Sequence, residues 1–146
     1  MPAAAVTMPV PQCSGLVGKN AGFTAGTPWL RVNSNYTAIN VEKESGDPDS
    51  VLNFYKKLIA LRKNPEYKET VVYGALIPFM EDRHNLMAYY RKGDKTFLVV
   101  GNYQWEEQEI TLPAACKKVL INNYPDLISS GGQITLHGYQ VLILEL

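Results

Sequence analysis

The chain has 146 residues and carries 14 Lys and Arg against 14 Asp and Glu, so its formal net charge is zero. That length suits one domain with an appendage and is enough to bury a core. The balanced, scattered charge excludes a nucleic-acid footprint, and no apolar run is long enough to cross a membrane.

Residues 1–19, MPAAAVTMPVPQCSGLVGK, combine small residues with Pro2, Pro9 and Pro11 and show no amphipathic period. Such a segment has no reason to fold. It lacks the basic start and continuous apolar core of a secretory signal. Of the two cysteines, Cys13 falls in this leader and Cys116 lies far away, so no structural disulfide is expected and a reducing cytosol is the default.

Residues 20–46 read as an irregular loop, because Gly22, Gly26, Pro28, Asn33, Ser34 and Asn35 favour turns. A helix is predicted over 47–64. Asp47 would cap it, Pro48 fits the first turn, and Asn64-Pro65 stops it. Its Val51, Leu52, Phe54, Tyr55, Leu58, Ile59 and Leu61 cover roughly half the helix surface at about 100° per residue. Such a helix needs covering on two sides.

From Val71 the pattern changes to short strands: VVYGALIPFM, HNLMAYYRK, KTFLVVGNY, EQEITL, KVLINNY, GQITL and QVLILEL. Turn signals separate them, among them Lys92-Gly93-Asp94-Lys95 and Ser130-Gly131-Gly132. About seven or eight strands at this spacing predict an antiparallel β-sandwich over 70–146. Pro78 fits an edge strand or a bulge.

Little in this chain carries chemistry. Glu81-Asp82 and Glu106-Glu107 are the nearest carboxylate pairs, and neighbours on a strand point to opposite faces, so neither pair can converge on one bond. His84 and His137 lie in turns without further metal ligands at useful spacing, and no phosphate loop occurs. No cofactor or metal is expected. Tyr89, Tyr90, Tyr103, Trp105 and Tyr124 could stack on sugar rings, although half-buried sheet positions are the ordinary reading. Trp105 and Tyr103, beside polar residues at a strand end, are the best candidates for a carbohydrate contact.

The stretch Asn20–Trp29, NAGFTAGTPW, followed by NSNYTAINVEKESGDPDSVLNFYKKLIALRKN, resembles the closing segment of the oligo-1,6-glucosidase branch of the alpha-amylase superfamily, glycoside hydrolase family 13. The resemblance runs from Asn20 to Leu146. It implies that 47–64 is the last helix of a catalytic barrel and that 70–146 is the Greek-key C-terminal domain. The catalytic carboxylates of retaining glycosidases, about 5–5.5 Å apart, come from barrel strands in that family, and their motifs do not occur here. His137-Gly138-Tyr139 stands where the family usually has x-Pro-Tyr, so a looser turn is expected.

In that family a TPMQW motif precedes the segment. Read in the shifted frame, codons for Met8 to Gly15 permit A-R-T-P-M-Q-W, and those for Ala5 to Met8 permit R-D-N. The leader is therefore expected to be an out-of-frame translation, the frames rejoining near Gly18–Lys19.

The resemblance implies a non-catalytic fragment of an alpha-glucosidase. Its parent would act on alpha-1,6 or alpha-1,4 bonds of short oligosaccharides, and the fragment would pack on the catalytic barrel. Alone it is expected to catalyse nothing. The competing reading is a free-standing carbohydrate-binding module. Without its barrel the helix should leave Val51, Phe54, Leu58 and Leu61 open to water and drive homo-oligomer formation.

Overall fold

The computed structural model describes residues 14–146. Expectations for residues 1–13 lie outside that range. The chain divides into two compact units, Met1–Tyr55 and Lys56–Leu146.

The first unit is a bonded loop around a short helix. Ser14 and Gly15, placed by the sequence in a segment without structure, accept from the amides of Val41 and Glu42 at 3.0 and 3.1 Å. Asn20 and Ala21 adopt left-handed conformations (φ 54° and 56°) in a tight 3-10 turn. The Asn20 side chain closes the following loop by donating to the carbonyls of Thr24 and Gly26. Within the expected loop a short helix does form, α1 (Val41–Gly46). Buried Asn40 caps it by accepting from the Lys43 amide at 2.9 Å.

The second helix, α2 (Val51–Lys63), begins four positions later than the Asp47 start read from sequence. The cap is Ser50, whose hydroxyl accepts from the Asn53 amide at 3.2 Å. Glu44 adds a carboxylate that accepts from the Leu52 amide at 3.1 Å, a favourable charge at a helix N-terminus. Asp47 instead accepts from the Asp49 amide in a local turn. None of the 13 residues of α2 is buried.

In the second unit Asn64 ends the helix, its side chain accepting from the Glu66 amide. Val71–Tyr73, read as the start of a strand, lie in a π-helical turn, Glu69–Tyr73. Two buried residues anchor this connection, Tyr67 and Thr70. The Thr70 hydroxyl accepts from the Lys95 amide, which fastens the turn to the hairpin tip. The Tyr67 ring stands edge-on to Phe97, 5.7 Å between centroids, with the ammonium groups of Lys95 and Lys118 at 5.3 and 5.5 Å from its centre. Hydrogen bonds to Glu145 and then Glu66 raise the Lys95 pKa, and the Tyr67 hydroxyl raises that of Lys118.

The remainder is the antiparallel β-sandwich that the strand pattern implied, with the Greek-key arrangement that the resemblance implied. Its eight strands are β1 (Ala75–Phe79), β2 (Leu86–Lys92), β3 (Thr96–Asn102), β4 (Gln108–Thr111), β5 (Lys118–Asn122), β6 (Ile128–Ser130), β7 (Gln133–Leu136) and β8 (Val141–Glu145). One sheet runs β1-β2-β3-β8-β5 and the other β4-β7-β6. β6 was not anticipated. Gly131 and Gly132, at φ 57° and 84°, supply the two left-handed residues that its tight hairpin to β7 requires. Pro78 sits on edge strand β1, where its missing N–H costs no ladder bond.

The two sheets share one core of Leu86, Leu98, Val100, Ile110, Ile134, Leu136, Leu142 and Leu144. Strand β8 shows the alternation expected of a half-buried strand. Strand β3 is buried almost throughout, because Phe97 and Val99 on its outer side are also covered.

Candidate functional site

Three loops meet at one end of the sandwich: 103–107 after β3, 123–127 after β5 and 137–140 after β7. Buried Asn102 ties the first and the third together. Its amide nitrogen donates to the carbonyls of Glu106 (2.7 Å) and His137 (3.0 Å), and its oxygen accepts from the Gln104 amide (2.9 Å). Fully buried Gln140 accepts from the His137 amide and donates to the Asn122 side chain, both at 2.8 Å. Replacing Asn102 with Ala would strand several of these buried groups, an expected loss of about 2–4 kcal/mol of stability readable by denaturant unfolding.

His137 forms a second clasp. Its ring stacks on Tyr124 at 4.7 Å, with Nδ1 3.2 Å from Glu107 and Nε2 3.4 Å from Asp126. The two carboxylates flank opposite sides of the ring and cannot converge on a common ion. Among the described residues no group of three such side chains is placed to hold a metal. The Tyr124 hydroxyl donates to the Gly138 carbonyl at 2.8 Å. Gly138 packs against the Trp105 backbone so closely that a Cβ there would lie 3.0 Å from the Trp105 Cα. The turn is close-packed rather than loose.

On this bonded base stand three exposed aromatics: Tyr103 at 53 %, Trp105 at 74 % and Tyr139 at 61 % of full accessibility. The Tyr139 amide donates to the Gln104 carbonyl at 3.0 Å, so the two aromatic loops are neighbours. Tyr139 holds φ at 58°, a conformation that ordinary residues adopt at a cost. The sequence offered Tyr103 and Trp105 but not Tyr139, whose backbone geometry leaves no mark in composition. Two of the other aromatics considered are structural. Tyr124 stacks on His137, and Tyr90 packs against the core and Phe79, with burial raising its pKa.

The helix residues proposed for self-association divide. Leu61 lines two grooves over the five-stranded sheet. One, of about 310 Å³, includes Phe97, Val99 and Ile143, and the other, of about 400 Å³, includes Ile121. Phe54 and Leu58 are half-buried. Val51 is 66 % exposed, and Tyr55 (62 %) and Ile59 (48 %) extend the same stripe at four-residue spacing. Tyr55 and Ile59 had not been singled out, although the spacing from Val51 pointed to them.

Residues 15–74 match the family described as the alpha-amylase catalytic domain, and residues 86–143 match the alpha-amylase SusG C-terminal domain. The probable oligo-1,6-glucosidase 2 of Bacillus subtilis (strain 168) is 48 % identical over 112 residues, covering 73 % of this chain and 19 % of that protein. The oligo-1,6-glucosidase of Bacillus cereus is 39 % identical over 132 residues, covering 87 % and 23 %. Among solved structures, trehalose-6-phosphate hydrolase from Bacillus licheniformis superposes with a TM-score of 0.78 at 39 % identity, covering 91 % of this chain and 25 % of that one. Isomaltulose synthase from Erwinia rhapontici NX5 gives 0.80 at 36 % identity, covering 92 % and 24 %. The chain belongs to the alpha-amylase family, glycoside hydrolase family 13. It spans about a fifth to a quarter of the length of these relatives.

Proposed function

We propose that this chain is a C-terminal, non-catalytic part of a glycoside hydrolase acting on alpha-glucosidic bonds of short oligosaccharides, and that its role is structural. The observation that carries the reading is α2, a helix half apolar by sequence in which no residue is buried. A helix of that width needs a second partner, and a catalytic barrel is the partner that the relatives' architecture supplies. The relatives named as oligo-1,6-glucosidases support the substrate class. Two widely separated cysteines support a cytosolic setting. Among the described residues no helix is long and apolar enough to cross a membrane.

Without the barrel, the reading gives the open stripe of α2 a second role as a self-association face, pairing most simply about a two-fold axis.

The test is enzymatic. The isolated chain should show no turnover of a chromogenic alpha-glucoside. Grafted in place of the matching segment of the Bacillus subtilis relative, it should give a folded enzyme that retains turnover. Turnover by the isolated chain that vanishes on changing one of its carboxylates would overturn the proposal, as would a graft that folds without activity.

A further inference from the structure

Beyond a covering role, we infer that the loop end carrying Tyr103, Trp105 and Tyr139 is a binding site for an uncharged glucosyl oligosaccharide. Exposed aromatic rings on a soluble surface usually occur singly and need no explanation. Here three belong to two loops bonded to each other, and all are more than half exposed.

The base beneath them is overdetermined. Asn102, Gln140, the His137 clasp and the Gly138 contact fix both loops before any ligand arrives. Tyr139 keeps its ring outside the core while holding a left-handed backbone. Strain of that kind, spent on a side chain that leaves 61 % of its surface to solvent, points to a task for the ring.

Charge selects the ligand class. The three loops contain Glu106, Glu107 and Asp126 and not one Lys or Arg. Three carboxylates against the one His137 imidazole disfavour a phosphorylated sugar or a nucleic acid, and the Arg83 guanidinium beside them is held by the Gln108 side chain. A neutral pyranose fits: its apolar face lies on a ring, and its hydroxyls reach exposed acceptors such as Glu106 and Gln104. A protein partner is a poorer match, since the cores of protein interfaces are depleted of charged residues and these rings stand among Glu106, Glu107 and Asp126.

The experiment uses the full chain carrying Trp29→Phe, which leaves Trp105 as the sole tryptophan, since the sequence has two. Isomaltotriose should change Trp105 fluorescence saturably, with a dissociation constant of about 1 mM, appropriate to a small exposed site. Tyr139→Gly removes the ring while suiting the left-handed backbone, so the fold is kept, as thermal unfolding would verify. It should weaken binding at least about tenfold. Glucose 6-phosphate should bind more weakly than glucose. Three results would each overturn the inference: no saturable change with isomaltotriose, equal binding by folded Tyr139→Gly, or a preference for the phosphate. None of them bears on the covering role, which the graft tests separately. A graft carrying Trp105→Ala should keep its turnover of the small chromogenic substrate.

Discussion

Purified at micromolar concentration, the chain is expected to sediment as a dimer or larger species, and Ile59→Glu should return it to a monomer with its helix intact. Val51, Tyr55 and Ile59 form one apolar stripe on α2 with 48–66 % exposure. Burying a side chain of the size of Ile yields about 1.5–3 kcal/mol, and a two-fold axis uses each residue twice. Losing Ile59 should therefore weaken the dimer by about 3 kcal/mol, more than a hundredfold. Leu61→Glu is the contrasting variant. Leu61 points over Phe97, Val99 and Ile121 of its own chain, so a charge there should lower the melting temperature instead. Phe54 and Leu58 lie between the two sides, and a charge at either should do some of both. A concentration-independent monomer for the unaltered chain would remove the self-association role.

The second large effect is in the core. Leu98 lies on the central strand β3 with no exposed surface, packed among residues from both sheets. Leu98→Ala should cost about 3 kcal/mol, within the roughly 2–5 kcal/mol seen for buried Leu truncations. For a unit of this size that corresponds to a fall in melting temperature of more than about 10 °C. Leu76→Ala on the edge strand, where Leu76 is 59 % exposed, should stay within about 0.5 kcal/mol. Similar losses for both variants would show that the two sheets do not share a core.

Where the sequence could be read, the reason is local. The apolar run Val141–Leu144 located β8, the Gly131-Gly132 pair located a hairpin, and Pro78 marked an edge or a bulge. Where it could not, several residues qualified equally for one task. In Asp47-Pro48-Asp49-Ser50 three side chains can cap a helix. The choice of Ser50, which accepts from the Asn53 amide, goes with Glu44, which arrives from α1 to accept from the neighbouring Leu52 amide. Val71–Tyr73 are as apolar as a strand, and only the anchoring of Tyr67 and Thr70 makes them a π-helical turn. Ile128-Ser129-Ser130 carries too few apolar residues to mark a strand, and its Ser130 reads as part of the turn with Gly131-Gly132. At the aromatic end Tyr103 and Trp105 were visible, yet the bonds that bring Tyr139 beside them cross between loops distant in sequence. For α2 the pattern gave the width of the apolar surface but not which part meets the sheet.

The strand margins decide how far any assembly can grow. On the five-stranded sheet, β1 carries Pro78 and β5 shifts register between Val119 and Ile121. On the three-stranded sheet, β6 has only three residues and β4 presents Glu109 to solvent. Each margin thus interrupts the row of backbone donors and acceptors that an added strand would need. Among the described residues these margins offer no ready template for zipping sheet to sheet into fibres. Contacts made by side chains on a helix can close on themselves, so association should stop at small, reversible numbers instead of proceeding to precipitate.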